Sequence, residues 1–199
     1  MRIPVVLITT LLVASLATAH EKPDKNTTLI VNLIVDPEIR EKFDRESEFV
    51  SYLNELLSRA SLIFNAEIGR HFELGSIKIG TRAKDRYKTE EPEFFMSWLR
   101  RQDDGRGRFV IFFTNTAFFD RDHARLLGGY SDPNGNRLLL VEYAFETQRV
   151  AMVILHHIGH LCGAGHSEDP PSIMSRTRNN SISFKEHKEV IQKNCGKKN

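Results

Sequence analysis

The sequence predicts an α/β fold: a mostly parallel, twisted sheet with a central helix and a small C-terminal subdomain that ends in a helix. Three observations point there. Strand-like and helix-like stretches alternate through the first half of the chain. Phe109–Phe113 is an unbroken apolar run, as expected of a parallel strand covered on both faces. The stretch after Thr147 carries Val150, Ala151, Val153, Ile154, Leu155 and Ile158, which makes it apolar on most sides and central.

Residues 1–19 begin with Met1-Arg2, continue as an apolar run and close on Ala17-Thr18-Ala19. That is the form of a signal peptide cleaved before His20, so a secreted, extracellular protein is expected. The run is too short for a membrane anchor, and no other stretch is long and apolar enough to span a bilayer. Residues 20–27 are polar and read as a flexible leader. Residues 28–199 have the size of one ordinary domain with a real core, expected to be a monomer.

Within that domain, Leu29–Val35 reads as a strand. A long helix is predicted from Glu41 to Asn65, with Phe49, Leu53, Leu56, Leu57, Ala60 and Phe64 at helical spacing. Phe72–Ile79 returns to strand character, and Gly75 suggests a bulge or bend. Pro92 suits an early position of a second helix that packs Phe94, Phe95, Trp98 and Leu99 into the core. Leu126–Tyr130 and Leu138–Tyr143 flank Asp132-Pro133-Asn134-Gly135-Asn136, a hairpin signal. The central helix runs from about Thr147 to Cys162. Ser183-Phe184-Lys185-Glu186 fits a capping box opening a last helix that ends near Asn194.

A formal net charge of +2 gives no argument for nucleic acid. The basic clusters at Arg82–Lys88, Arg100–Arg108 and Arg121–Arg125 have acidic residues between them and read as solvated surface. The 2 cysteines, Cys162 and Cys195, are expected to pair in an oxidising compartment. By loop-closure entropy such a bridge is worth roughly 3–4 kcal/mol. Asn26 and Asn179 stand in glycosylation sequons.

The chemistry lies in His156-His157-Ile158-Gly159-His160-Leu161-Cys162-Gly163-Ala164-Gly165-His166. His156 and His160 are four apart, so a helix projects both imidazoles from one face toward a single zinc ion. Gly163 follows where the helix must stop, because glycine enters the left-handed region cheaply. The turn it allows brings back His166 as a third ligand and leaves one metal position open. The alternative is a histidine-rich core helix with no metal. Eight residues beyond His166 comes Met174, in Pro171-Ser172-Ile173-Met174-Ser175.

The pattern H-x-x-x-H-x-x-G-x-x-H resembles the signature of the metzincin zinc proteases, and Met174 resembles their Met-turn beneath the metal. The element order is similar too. Leu127-Gly128-Gly129-Tyr130-Ser131-Asp132-Pro133 looks like the adamalysin (reprolysin) branch. The short link from His166 to Met174, with Ser167 after the third histidine, looks like the matrixin branch. The resemblance implies a Zn2+ metalloendopeptidase acting on extracellular protein or peptide.

It also implies a glutamate at the second motif position, to take a proton from the attacking water. His157 stands there instead. Three readings are open. The base is lost and a protein target is bound rather than cut; His157 is a substitute base with an ordinary pKa of about 6.5; or His157 closes the fourth metal position, making a structural or binding module. Adjacent helical residues point about 100° apart, which argues against joint ligation by His156 and His157. No cysteine precedes Cys162, so a cysteine latch ahead of the domain is not expected. Glu142 and Glu146 precede the helix as minor candidates for a nearby carboxylate; His71, His123 and His187 read as scattered surface or core-edge residues.

Overall fold

In the computed structural model, the apolar run after Arg108 is the middle strand of a five-stranded sheet. The structure describes residues 27–80, 92–115, 118–120, 125–133, 137–143, 146–169, 171–176 and 182–195, with the backbone alone at 94, 118–120 and 125–127. Residues 1–26, with the expected signal peptide, most of the leader and Asn26, lie outside them. So do Asn179 and the cluster at Arg82–Lys88.

The elements follow in chain order: β1 (Thr28–Val35), α1 (Pro37–Arg40), α2 (Glu46–Ile68), β2 (His71–Ile79), α3 (Pro92–Gln102), β3 (Phe109–Thr114), β4 (Phe118–Asp120), β5 (Arg125–Leu127), β6 (Gly129–Ser131), β7 (Leu138–Glu142) and α4 (Thr147–Leu161). A 3-10 turn at Lys185–His187 leads into α5 (Lys188–Cys195). The sheet order is β2-β1-β3-β7-β6; only β6 runs antiparallel, to β7. Every residue of β3 is buried, because helices cover both faces of the sheet.

α2 and α4 share one face. Phe49, Leu53, Phe64, Ile154, Leu155 and Ile158 meet Val31, Leu33, Ile111 and Leu139 there. On the other face α3 packs Phe95, Met96, Trp98 and Leu99 on Ile34, Val110, Phe112 and Leu140. Each large apolar side chain so buried contributes about 1.5–3 kcal/mol. The bend expected at Gly75 is a register shift between β1 and β2, where a Cβ on Gly75 would overlap Asn32 and Ile30.

Three expectations need correction. The first helix begins at Glu46 rather than Glu41, because Asp36 caps the separate helix α1, its carboxylate accepting from the Glu38 amide at 3.2 Å, and the chain turns before restarting. The strand expected over Leu126–Tyr130 divides at Gly128: β5 pairs with β4, while β6 pairs with β7. The capping box does not close. The Ser183 hydroxyl donates to Glu67 on α2 at 3.0 Å and accepts from the Lys185 amide at 3.2 Å, so this turn is tied to α2 instead.

The C-terminal stretch is held to the end of α4. Cys162 and Cys195 form a disulfide with Cα atoms 5.5 Å apart.

Candidate metal centre

α4 carries His156 and His160 in its last turns, one helical turn apart. The helix ends in a Schellman turn. Gly163 takes φ +87, its amide donates to the His160 carbonyl at 2.9 Å, and the Ala164 amide donates to the Gly159 carbonyl at 2.9 Å. The reversed chain returns His166 to the same place. Its ring centroid lies 4.6 Å from that of His160 and 5.4 Å from that of His156. One nitrogen from each of the three falls within 4.8 Å of the others.

Two of the rings have their outer nitrogens fixed. His156 Nδ1–H donates to the Ile173 carbonyl at 2.8 Å, and His160 Nδ1–H donates to the Ala164 carbonyl at 2.9 Å. A neutral imidazole with its proton on Nδ1 presents a bare lone pair on Nε2. The two Nε2 atoms face each other at 3.0 Å, so two lone pairs point at one spot. That arrangement is repulsive unless a cation lies between them. Two nitrogens on a tetrahedral zinc stand about 3.3 Å apart, close to what the protein holds ready. The donors therefore fit the metal: three neutral nitrogens, two with carbonyl partners behind them. The site also sits at the negative end of the α4 dipole, which favours a cation.

Met174 is fully buried beneath this arrangement. Its sulfur lies against Gly159, where a Cβ would overlap it. The Ser167 amide donates to the Met174 carbonyl at 2.9 Å, and Ile173, whose carbonyl holds His156, is secured by its amide on the Ser183 carbonyl at 2.8 Å. The turn after His166 thus closes under the helix and supplies one of the ligand braces.

His157 is a near neighbour of the ligand rings, its centroid 5.2 Å from that of His156 and 6.0 Å from that of His160, but it is seated differently. Its ring lies against the edge strand, where a Cβ on Gly129 would stand 2.7 Å from its Cδ2 and 2.8 Å from its Nε2. It is not in the ligand group. Its Nδ1 is shielded from solvent and has no hydrogen-bond partner among the described residues. Burial, reinforced by His156, His160 and His166, pushes its pKa well below the ordinary histidine value, so the ring is neutral near pH 7. His160 is also lowered, by burial first, with its bond to Ala164 opposing.

Glu142 and Glu146 stand outside the ligand group. Sequence reasoning missed Gly129 as the seat of His157 and Gly159 as the seat of Met174. It also missed the carbonyls of Ile173 and Ala164 as braces. The Gly128-Gly129 pair was a visible signal, since adjacent glycines in a strand mark a close approach. Backbone carbonyls have no sequence signal. His187 is only partly a surface residue, since its Nε2 is buried and lies 3.7 Å from Glu186.

No protein-family model and no curated relative matches the chain. Solved structures do. An archaemetzincin from Methanopyrus kandleri superposes with TM-score 0.65 at 16% identity, over 88% of this chain and 100% of that one. The fold is that of a zinc-dependent peptidase. A zinc-dependent peptidase from Methanocorpusculum labreanum shares it, with TM-score 0.52 at 16% identity over 81% of this chain and 99% of its own. A chain from a chaperone–substrate complex gives TM-score 0.58 at 16% identity over 85% of this chain; the match spans 34% of that chain. In this zinc-peptidase fold, His156, His160 and His166 are the described residues that could hold a metal ion together.

Proposed function

We propose that this protein is a secreted zinc-binding homologue of the metzincin endopeptidases whose peptidase activity is lost or strongly weakened, and that it acts by binding a protein target. The observation that carries this reading is the contrast at the metal centre. Three histidines converge, two of them with their lone pairs inward, while the position of the proton-accepting carboxylate holds His157, pressed on Gly129. When bound, zinc supplies Lewis-acid polarisation of a carbonyl. The chain's own part is to hold that ion through His156, His160 and His166, with Met174 and Gly163 shaping the support. A positioned acid–base group is worth about 10² to 10⁴ in rate, and its loss leaves hydrolysis slow.

One observation favours a second reading, a working peptidase in which His157 is the base. A buried, neutral imidazole with an unused nitrogen can accept a proton. The structural-module reading, in which His157 completes the metal shell, is disfavoured because that ring lies outside the ligand group. The finer likeness to the adamalysin and matrixin branches rests on the sequence segments alone, as do the signal peptide, the glycosylation at Asn26 and Asn179, and the monomeric state. No helix among the described residues is long and apolar enough to cross a membrane.

The deciding experiment is cleavage of a broad peptide library by the mature protein and by His157→Glu, each with its zinc content measured. Cleavage by the glutamate variant alone, stopped by a chelator, supports the leading reading. Chelator-sensitive cleavage by the natural protein at a comparable rate sinks it in favour of the second.

A further inference from the structure

Resting on the zinc-binding reading, we propose that the Cys162–Cys195 bridge and Asn194 are positioning residues for the metal ligands, so that the redox state of the bridge sets the metal affinity of the triad.

The segment between the second and third ligands is short, and its fixed points lead to α5. Cys162, two residues past His160, is bonded to Cys195. Its carbonyl accepts from Asn194 Nδ2 at 2.9 Å. Gly163 lies over the same side chain, where a Cβ would stand 2.8 Å from Asn194 Nδ2. The next residue, Ala164, offers the carbonyl that holds His160 Nδ1–H at 2.9 Å. Two residues further is His166. The position of α5 is therefore passed through Cys162 and Gly163 to the brace behind one ligand and the approach path of another.

α5 is itself anchored. Ile191 and Cys195 are fully buried, Arg108 donates to the Asn194 carbonyl at 3.1 Å, and Gln192 donates to the Ile68 carbonyl at 3.4 Å. The helix is thus a fixed point on the body of the domain rather than a loose tail.

Opening the bridge takes two electrons and two protons from a dithiol, which leaves as a cyclic disulfide while Cys162 and Cys195 become thiols. The turn then keeps its own backbone bonds from the Gly163 and Ala164 amides and the Asn194 bond, but loses its covalent tie to α5, and the placement of the Ala164 carbonyl loosens. Groups that orient a metal ligand from behind are worth about 10- to 100-fold in metal affinity. The coupling is reciprocal. Zinc must make the bridge harder to reduce by the same factor, and a tenfold effect corresponds to about 30 mV in its reduction potential.

The test uses the mature chain in its oxidised form and after treatment with a dithiol. Zinc affinity is measured by competition with a chromophoric chelator, and the coordination by visible absorption of the cobalt-substituted protein. Asn194→Ala keeps the bridge and is measured alongside, so the answer stands even if the reduced chain unfolds. Ile34→Val, on the opposite face of the sheet, controls for mild loss of stability. The expected result is an affinity about tenfold lower in the reduced protein, a smaller loss with an altered cobalt spectrum in Asn194→Ala, no loss in Ile34→Val, and a bridge potential lowered by zinc. Equal zinc affinities for the oxidised protein and Asn194→Ala, with a bridge potential indifferent to zinc, overturn the proposal and leave the zinc-binding reading intact. Failure of the oxidised protein to take up zinc or cobalt removes the zinc-binding reading, and this proposal with it.

Discussion

His156 and His157 are neighbours on α4 with the same side chain, yet their surroundings differ in kind. His156 gives its Nδ1 proton to a carbonyl on the turn beneath and points a lone pair at His160. His157 points at the backbone of β6 and has a shielded nitrogen with no partner among the described residues. A buried polar atom left unpaired costs about 1–3 kcal/mol. The ligand face of the helix therefore suits a cation, and the adjacent position buries a neutral ring with one nitrogen unpaired among the described residues. The rotation between consecutive helical residues separates the two. The ligand set and the seat of His157 are therefore separate features of one helix.

The sharpest way to break that contrast is to delete one residue from each face. His160→Ala should lower zinc affinity by more than about 10³-fold, since zinc binding of roughly 10–16 kcal/mol is shared among a few ligands. His157→Ala should keep full zinc occupancy. Equal losses in chelator competition would show that both faces hold the metal. Next in size is the gain in His157→Glu, expected at about 10² to 10⁴ in peptide cleavage rate at unchanged zinc content.

The support beneath the ligands gives a smaller effect. Gly159→Ala forces a Cβ into Met174 and should cost about 1–3 kcal/mol, seen as a Tm lower by roughly 2–10 °C. Gly128→Ala meets the Val153 side chain, with Cγ2 at 3.2 Å and Cγ1 at 3.8 Å, and should cost less. If the order of these two is reversed, Met174 is not packed as described.

The smallest expected effect is in pH. His157 titrates below the ordinary histidine value in the fold, so between that lowered pKa and about 6.5 the unfolded chain binds the extra proton. Stability of the metal-free protein should therefore be full above about pH 7 and fall as the pH drops below about 6.5. His157→Phe should flatten that fall in urea melts. An unchanged slope would mean that the ring is not buried in the neutral form.

Much of this could be read from the residues because it rests on periodicity and spacing. Phe109–Phe113 announced a strand covered on both faces, and the offsets of His156, His160, Gly163 and His166 announced a turn that brings three imidazoles together. Helix starts were harder: Asp36 and Pro37 set up α1, and the chain restarts at Glu46 without a side-chain cap on Arg45. The division at Gly128 depends on which strand each half pairs with, a tertiary choice that alternation does not encode. Ser183 found a better partner in Glu67, far away in sequence, than in Glu186, three residues on. Nothing in the motif says where His157 points, because that depends on how closely β6 approaches α4. The two glycines make that approach possible.

The sheet and the metal centre differ in how far along the chain their parts come from. β1 takes β2 on one side and β3 on the other, joining Val31 to Leu74 and to Phe109, so the sheet closes large loops before it gains anything. The donor set, its carbonyl braces and the supporting sulfur all fall between His156 and Met174, in one short continuous stretch. Gathering them costs little chain entropy. In assembly terms, the ion has a local nest that can form around it early, while the strands that will enclose α4 are still finding one another.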